Sequence, residues 1–187
     1  RAKQSSAYKT QFNRSIMKQM IVCIVGPSGS GKTTLASIAS KELNIPTLCS
    51  YTTRPKRENE INGVDHFFVS KEEMPTKDKM LAYTKFGDYE YWASIEQIPE
   101  DKPILYVIDE KGLMMLMEEW GDQYEIASLL IKRDKKLLIE TVGEERVKRD
   151  HSRVKIDENS YDAVISNNGS LTEFLKDGVE TIKLLID

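Results

Sequence analysis

Five short runs rich in apolar residues organise the chain, and the first of them is continuously apolar. They cover residues 20–25, 47–50, 104–108, 126–131 and 161–166. Continuous apolar character is typical of strands that are buried on both faces of a parallel sheet. The segment after the first run and the segment at residues 171–186 instead carry apolar side chains at helical spacing. Alternating strands and helices predict an α/β doubly wound fold around a five-stranded parallel sheet.

The segment between the second and third runs follows a different pattern. It begins with a charged, loop-like stretch and continues with a short apolar run at residues 66–69. Residues 81–93 alternate and are rich in aromatic side chains, which predicts a hairpin. A capping box at residues 70–73 and a similar sequence at residues 94–97 predict the starts of two short helices.

The chain is expected to form one domain with one insertion. With 187 residues, of which 40% are hydrophobic, it can bury one sizeable core. We predict that residues 19–187 form this domain, with a core from residues 19–51 and 99–187 and a small mixed α/β subdomain inserted at about residues 52–98. Residues 1–18 are polar and lack a sustained apolar period, so we expect a tail outside the folded unit.

Charge and composition narrow the possible partners. The formal net charge of −3 argues against a general nucleic-acid or membrane-surface binder. No apolar run approaches the roughly 20 residues that span a bilayer. Cys23 and Cys49 fall in predicted buried strands and are interpreted as small core residues in a reducing cytosol. We therefore expect a cytoplasmic protein, monomeric or homodimeric, whose partners are small molecules rather than nucleic acid or membrane.

Residues 26–34, GPSGSGKTT, match the phosphate-binding loop pattern G-x-x-x-x-G-K-[ST] between the first predicted strand and helix. Glycines remove side chains that would block a polyphosphate, so backbone N–H groups can surround it at a helix N-terminus. Lys32 is predicted to reach the outer phosphates, and the Thr33 hydroxyl is the expected magnesium ligand. The predicted ATP-phosphate ligands are Gly26, Ser28, Gly29, Ser30, Gly31, Lys32, Thr33 and Thr34. The alternative, a glycine turn between a core strand and a core helix, is disfavoured because the full motif and both flanking elements are present.

A second motif follows the second predicted strand. It reads Ser50-Tyr51-Thr52-Thr53-Arg54, with Arg57 three residues later and Gly63, Asp65 and Phe68 beyond it. These residues resemble the guanylate kinase signature S-x-T-T-R-x-x-R followed by G-x-D-x-x-F. The resemblance implies a P-loop core of five parallel strands, an inserted nucleoside-monophosphate-binding subdomain and a helical lid at about residues 132–155. It also implies transfer of the γ-phosphoryl group of MgATP to GMP or dGMP.

On the acceptor side, the resemblance assigns roles residue by residue. It implies that Arg54 and Arg57 bind the acceptor phosphate, a role that suits guanidinium forks. The other implied acceptor contacts are Ser50 and Asp109 near the base, His66 at the position of a family tyrosine, and Tyr91 at the phosphate. Asp109 is also implied to lie near the magnesium ion.

On the donor side, the resemblance implies that Arg149, with Arg146 near it in the sequence, is the lid arginine that bridges the donor and acceptor phosphates. Asn167 resembles the family asparagine beside the donor adenine. The expected catalytic residues are Lys32, Arg54, Arg146 and Arg149. The expected nucleotide donor is ATP, and the expected metal is Mg²⁺.

Several positions depart from the family pattern, and they concern the base of the acceptor. Ala82 stands where the family has a glutamate that reads the guanine edge, and Val107 replaces a carboxylate two residues before Asp109. The family's Tyr-Gly-Ser/Thr ending is Tyr91-Trp92-Ala93. We therefore expect guanine to be preferred, but by a smaller margin than a complete pocket would give.

Alternatives remain open at two levels. The protein could phosphorylate another monophosphate or small phosphorylated acceptor, or it could be an interaction module without turnover, which the intact Lys32-Thr33 pair disfavours. Arg54 and Arg57 could merely pair with Glu58 and Glu60. The charged residues of the segment 132–155 could form a solvated helix face, with fewer than half of its bases at phosphate.

Overall fold

The computed structural model describes residues 18–150 and 153–187. The tail predicted at residues 1–18 therefore lies outside the described residues except for Lys18, whose Nζ donates to the carbonyl oxygen of Gly121 at 3.0 Å. The strands are β1 (Gln19–Val25), β2 (Thr47–Leu48), β3 (Tyr51–Thr52), β4 (Phe67–Phe68), β5 (Met80–Phe86), β6 (Tyr89–Ser94), β7 (Ile104–Val107), β8 (Tyr124–Lys132) and β9 (Ala163–Ser166). The α-helices are α1 (Lys32–Leu43), α2 (Glu110–Trp120), α3 (Lys135–Val142), α4 (Glu144–Asp150) and α5 (Leu171–Ile186).

Five parallel strands form the core sheet in the order β2-β7-β1-β8-β9, which confirms the predicted α/β fold. Alternate residues of the central strand β1 supply two different cores. Ile21 and Cys23 pack on the face that carries α2, whereas Val22 and Ile24 pack on the face that carries α1 and α5. Because β1 is covered on both faces, a continuous apolar sequence is the one that suits it.

A smaller sheet of order β4-β3-β6-β5 occupies the segment predicted as an insertion. The second predicted strand, residues 47–50, is too long: β2 ends at Leu48, and the chain then enters the small sheet at Tyr51. The Tyr51 ring stacks between Phe67 at 4.8 Å and Trp92 at 5.6 Å, so aromatic packing draws this stretch away from the core sheet. Cys49 consequently lies outside any strand and is half-buried, contrary to expectation.

The predicted hairpin is formed by β5 and β6, but its register is interrupted. The pairing shifts between Leu81 and Thr84. Ala82 lies in this irregularity with a φ of 51°, a left-handed conformation that non-glycine residues adopt rarely. Its side chain is nevertheless buried in the core shared with α2. Tertiary packing thus holds a backbone geometry that the alternating sequence does not indicate.

The helix predictions differ in accuracy. Helix α5 spans the predicted residues 171–186, and its capping box at Ser170 is formed. The two shorter capping boxes are also formed, although each starts a 3₁₀ turn rather than an α-helix. The segment 132–155 contains two helices, α3 and α4, because Gly143 ends the first with a φ of 83°. Within the part of the chain that the structure describes, no helix is long and apolar enough to cross a bilayer.

Candidate active site

The phosphate-binding loop lies between β1 and α1, at the carboxyl edge of the core sheet. Gly31 takes a φ of 102° at the N-cap of α1, and a Cβ there would lie 2.8 Å from the Asn167 amide nitrogen. A Cβ at Gly26 would lie 2.6 Å from the carbonyl oxygen of Ile131. Both positions therefore require glycine for space as well as for backbone angle.

Lys32 folds back over this loop. Its Nζ donates to the carbonyl oxygens of Gly26 at 2.7 Å and Pro27 at 2.9 Å. Burial lowers the pKa of Lys32 to about 8, and the nearby Arg153 lowers it further, while Asp150 acts in the opposite direction. Neutral carbonyl groups are weak partners for an ammonium ion, so Lys32 can exchange them for phosphate oxygens.

A carboxylate from the lid segment already touches the loop. The backbone N–H of Ser28 donates to Asp150 Oδ2 at 2.7 Å, and Arg153 pairs with Asp150 Oδ1 at 3.1 Å. Burial disfavours the charged form of Asp150, but the hydrogen bonds from Ser28 and the charge of Arg153 outweigh it and hold the pKa below its usual value. A buried anion on a loop N–H indicates that the loop favours negative charge.

Two residues that are far from the loop in the sequence donate hydrogen bonds to its backbone carbonyl oxygens. Arg133 Nη1 donates to the carbonyl oxygen of Gly29 at 2.7 Å. Asn167 is buried, and its amide donates to the carbonyl oxygen of Ser30 at 2.8 Å. Asn167 therefore holds the loop, whereas its adenine-side role stays a prediction. The contribution of Arg133 was missed, because a contact across 104 residues leaves no local signal.

On the acceptor side, Arg54 is 9% exposed and is held by several partners. Its Nη1 and Nη2 donate to the two carboxylate oxygens of Glu60 at 2.9 and 2.7 Å, and Nη1 also donates to Pro55. This hydrogen-bonded pair lowers the pKa of Glu60 to about 2. Glu60 further accepts the backbone N–H of Arg57 at 2.8 Å. The pairing alternative is thus correct for Glu60.

Pairing with Glu60 does not exhaust the Arg54 guanidinium, which has five N–H donors. Glu60 and Pro55 use three of them. The remaining edge consists of Nε and the second Nη2 hydrogen, and Tyr91 lies near enough to contribute to the raised pKa of this side chain. The Arg54 guanidinium also lies over the Phe68 ring at 5.5 Å. Arg54 is therefore fixed by one edge of its fork, with donors left on the other.

Ser50 and His66 form a pair beside these arginines. Ser50 Oγ and His66 Nδ1 are hydrogen-bonded at 2.7 Å, and the imidazole ring meets Phe68 and Tyr91 edge-on. Burial lowers the pKa of His66, and the charge of Arg54 lowers it further. His66 is therefore neutral at pH 7 and can take part in hydrogen bonding without adding charge.

The hairpin supplies no carboxylate at the position of Ala82, which is 3% exposed. Glu90, the hairpin carboxylate considered as a substitute, accepts a hydrogen bond from the Tyr83 hydroxyl, and its own N–H donates to Thr53 Oγ1. Trp92 is 1% exposed and stacks on Tyr51, so a bulky ring fills the place of a family glycine. The departures noted in the sequence are thus built into the packing of the small sheet.

Two acidic residues follow β7. Asp109 is exposed, and its Oδ1 accepts the N–H of Gly112 at 2.7 Å as the N-cap of α2. Glu110 has a buried Oε2 that finds no hydrogen-bond partner among the described residues. Sequence reasoning did not single out Glu110, because it appears there only as an acid in the first turn of a helix.

Arg146 interacts electrostatically with residues of both the donor half and the acceptor half of the site. Burial lowers the pKa of Arg146 first, and the charges of Arg57 and Arg149 lower it further. Arg57 belongs to the acceptor motif, whereas Asp150, which also acts on Arg146, touches the phosphate-binding loop. Arg146 is therefore within electrostatic reach of both Arg57 of the acceptor motif and Lys32 of the phosphate-binding loop. Thr33, the predicted magnesium ligand, is exposed at the start of α1. Within the described ranges, no group of three or more acidic, histidine or cysteine side chains could hold a metal ion by itself.

Comparisons with known proteins agree with this arrangement. The family model for guanylate kinase matches residues 17–117, which include the loop, the arginine motif and β7. The guanylate kinase of Malacoplasma penetrans (strain HF-2) is 33% identical over 170 residues, which cover 81% of this chain and 86% of that protein. The guanylate kinase of Mycoplasmopsis pulmonis (strain UAB CTIP) is 43% identical over 89 residues, 45% of each chain.

Solved structures share the fold. The crystal structure of guanylate kinase from Anaplasma phagocytophilum superposes with a TM-score of 0.64 and 21% identity, covering 91% of this chain and 85% of that one. A gluconokinase from Sinorhizobium meliloti 1021 reaches a TM-score of 0.53 at 11% identity, covering 91% and 95%. At these identities the likeness shows the fold alone.

Proposed function

Because the chain belongs to the guanylate kinase family, an ATP-dependent phosphotransferase family, we propose that it transfers the γ-phosphoryl group of ATP to GMP or dGMP. The observation that carries this proposal is that Arg146 lies within electrostatic reach of both Lys32 in the glycine loop and Arg57 in the acceptor motif. In-line phosphoryl transfer needs positioning and charge stabilisation more than covalent chemistry, and these groups supply both.

On the donor side, the backbone N–H groups of the loop bind the ATP phosphates, and Lys32 turns from its two carbonyl partners to the outer phosphates. Entry of the triphosphate displaces Asp150 from Ser28. The exposed Thr33 hydroxyl suits Mg²⁺, which prefers oxygen ligands. Mg²⁺ would neutralise charge on the phosphates during transfer.

On the acceptor side, Arg54 and Arg57 bind the monophosphate. Glu60 holds one edge of the Arg54 fork, so that its other edge and the Tyr91 hydroxyl face the incoming phosphate. Arg146 and Arg149 then act from the lid on charge that develops between donor and acceptor. Closure of the lid excludes water, which limits wasteful hydrolysis of ATP.

Ser50, His66 and Asp109 form the base-reading side of the pocket. Guanine remains the preferred base, because these groups can still hydrogen-bond its polar edge. Without a carboxylate at Ala82, fewer buried groups are left unpaired by a wrong base, and this lowers discrimination. Another monophosphate is the second candidate for the acceptor, and the burial of Ala82 and Trp92 is the observation in its favour.

We also propose that the protein acts in the cytoplasm as a monomer or homodimer, without binding nucleic acid or membrane. The formal net charge of −3 supports this view, since a polyanion would be repelled.

A coupled assay of ADP release tests the function directly. ADP should form rapidly only when ATP, Mg²⁺ and GMP are all present, and gluconate or water should give background rates. Lys32→Ala is the matched negative variant. Equal ADP release with and without any monophosphate would overturn the proposal, as would ADP formation driven by gluconate.

A further inference from the structure

Glu110 is an acidic residue near the phosphate-binding loop, and one of its carboxylate oxygens has no hydrogen-bond partner among the described residues. It is the first residue of α2 and follows directly on β7 and Asp109. That oxygen, Oε2, is buried. Buried polar atoms in native proteins almost always have a partner, so this carboxylate oxygen calls for one beyond the described residues, such as a bound ion or water.

The position of Glu110 indicates where that partner lies. Strand β7 pairs with β1 in parallel, and the N–H of Ile108 donates to the carbonyl oxygen of Ile24 at 3.2 Å. The end of β7 is therefore next to the start of the phosphate-binding loop. Glu110 also acts on Lys32: burial dominates the lowered pKa of that lysine, and the Glu110 charge works against it.

A purely structural role does not account for these features. An acidic residue in the first turn of a helix stabilises the helix dipole from an exposed position, and burial is not needed. The N-cap of α2 is already formed by Asp109, which accepts the N–H of Gly112. Glu110 is instead half-buried, and its negative charge acts on Lys32.

We propose that Glu110 is a positioning residue for the metal-bound end of ATP, accepting a hydrogen bond from a water molecule on the Mg²⁺ that the nucleotide brings to the loop. Mg²⁺ keeps several waters when it binds with phosphates, so a carboxylate near the loop can act through one of them. Val107, at the position of the missing family carboxylate, is apolar and packs in the core, so it leaves this task to a neighbour. The inference rests on the proposed function, because it requires a nucleotide at the loop.

The test measures metal binding rather than turnover. Mn²⁺ affinity of the protein–ADP complex is measured by electron paramagnetic resonance for the wild type, Glu110→Gln and Glu110→Asp. Affinity for ADP in EDTA is measured alongside by calorimetry. Glu118→Gln, a charge loss on the exposed face of the same helix, is the matched control.

Glu110→Gln should weaken Mn²⁺ binding roughly 10–100-fold, the usual cost of losing a partner behind a metal's own ligands. Its affinity for ADP in EDTA should stay within about twofold of the wild type, because the loop itself is unchanged. Glu110→Asp keeps the charge, so its Mn²⁺ affinity should lie between those of the wild type and Glu110→Gln. The Mn²⁺ affinity of Glu118→Gln should match that of the wild type.

The proposal is overturned if Glu110→Gln binds Mn²⁺ like Glu118→Gln, since Glu110 would then serve only the helix. It is also overturned if ADP affinity in EDTA falls as much as Mn²⁺ affinity, which would indicate a damaged loop. If Glu110→Gln does not fold, Glu110→Asp decides: an unchanged Mn²⁺ affinity sinks the proposal and a reduced one supports it. A wild type that binds MgADP but does not phosphorylate GMP would contradict the proposed function while leaving this inference standing.

Discussion

The donor and acceptor halves of the cleft are built in different ways. The donor half is a backbone site: its donors are the N–H groups of a glycine loop, and its shape follows from the angles of Gly26, Gly29 and Gly31. The acceptor half is a side-chain site, assembled from β3, β4 and the hairpin that carries Tyr91. A backbone site is specified by a short local sequence, whereas a side-chain site depends on contacts that sequence spacing does not reveal.

The acidic residue in each half emphasises this difference. Asp150 accepts a hydrogen bond from one backbone N–H of the loop, so under the proposed function it competes with phosphate for that donor. Glu60 holds one edge of the Arg54 fork and leaves the other, so under the proposed function it orients Arg54 toward the acceptor. Carboxylates beside phosphate sites can thus oppose or support binding, depending on which donors they use.

The largest effect is expected from Lys32→Ala. Removing a positioned donor from a charge-stabilising site typically costs roughly 100–1000-fold in kcat. The fold should survive, because the Lys32 ammonium touches only two loop carbonyls. Steady-state ADP release and thermal unfolding measure the two effects, with the exposed Lys41→Ala as control. Near-normal turnover in Lys32→Ala would contradict the role assigned to the donor half.

Arg57→Ala and Arg54→Ala should weaken the acceptor selectively. A lost charge-assisted hydrogen bond costs about 1.5–3 kcal/mol, which corresponds to roughly ten- to a hundredfold in the KM for GMP. The KM for ATP should change little, because both arginines belong to the acceptor half. Lys71→Ala, an exposed charge loss in the same subdomain, is the control. Equal weakening of both substrates would show that the two halves are not separate.

The donor half should also respond to pH through Lys32, whose pKa is lowered to about 8 by burial. Phosphate binds the ammonium form, which predominates below this value and is lost above it. ATP affinity should therefore fall roughly tenfold between pH 7 and pH 9. Calorimetry across this range tests the prediction, and Lys32→Ala should show a flat profile. A flat profile in the wild type would mean that Lys32 stays charged without phosphate.

The smallest effects should have opposite signs in the two halves. Glu60→Gln loosens Arg54, so the KM for GMP should rise about three- to tenfold. Asp150→Asn removes a negative charge from the loop, so the KM for ATP should fall about two- to fivefold. Both substitutions keep side-chain size. A fall in the KM for GMP in Glu60→Gln would show that Glu60 competes with the acceptor phosphate instead of orienting Arg54.

Sequence reasoning predicted those parts of the molecule that local chemistry determines. The loop, the apolar run of β1 and the bounds of α5 all follow from short patterns, and they lie where predicted. Glu60 was considered as a partner of Arg54 because it is six residues away. The sequence did not indicate that β2 is shorter than predicted, because the stacking of Tyr51 on Trp92 depends on the tertiary fold.

What sequence reasoning missed is long-range or strained. Arg133 reaches Gly29 from a different strand end, and Glu110 matters through a buried oxygen that no pattern marks. The left-handed backbone of Ala82 is rare outside glycine, and it lies in a core where α2 packs against the hairpin. Under the proposed function, these positions affect base selection in the acceptor half and metal binding in the donor half.

Base selection is the most direct test of the central claim that this cleft phosphorylates a guanine nucleotide with a reduced set of base contacts. The measurement is kcat/KM for GMP, dGMP, AMP, CMP and UMP under identical conditions. We predict that GMP and dGMP are preferred by roughly ten- to a thousandfold over the other three. A preference for AMP, CMP or UMP would contradict the guanine assignment, and discrimination of several thousandfold would contradict the reduced pocket.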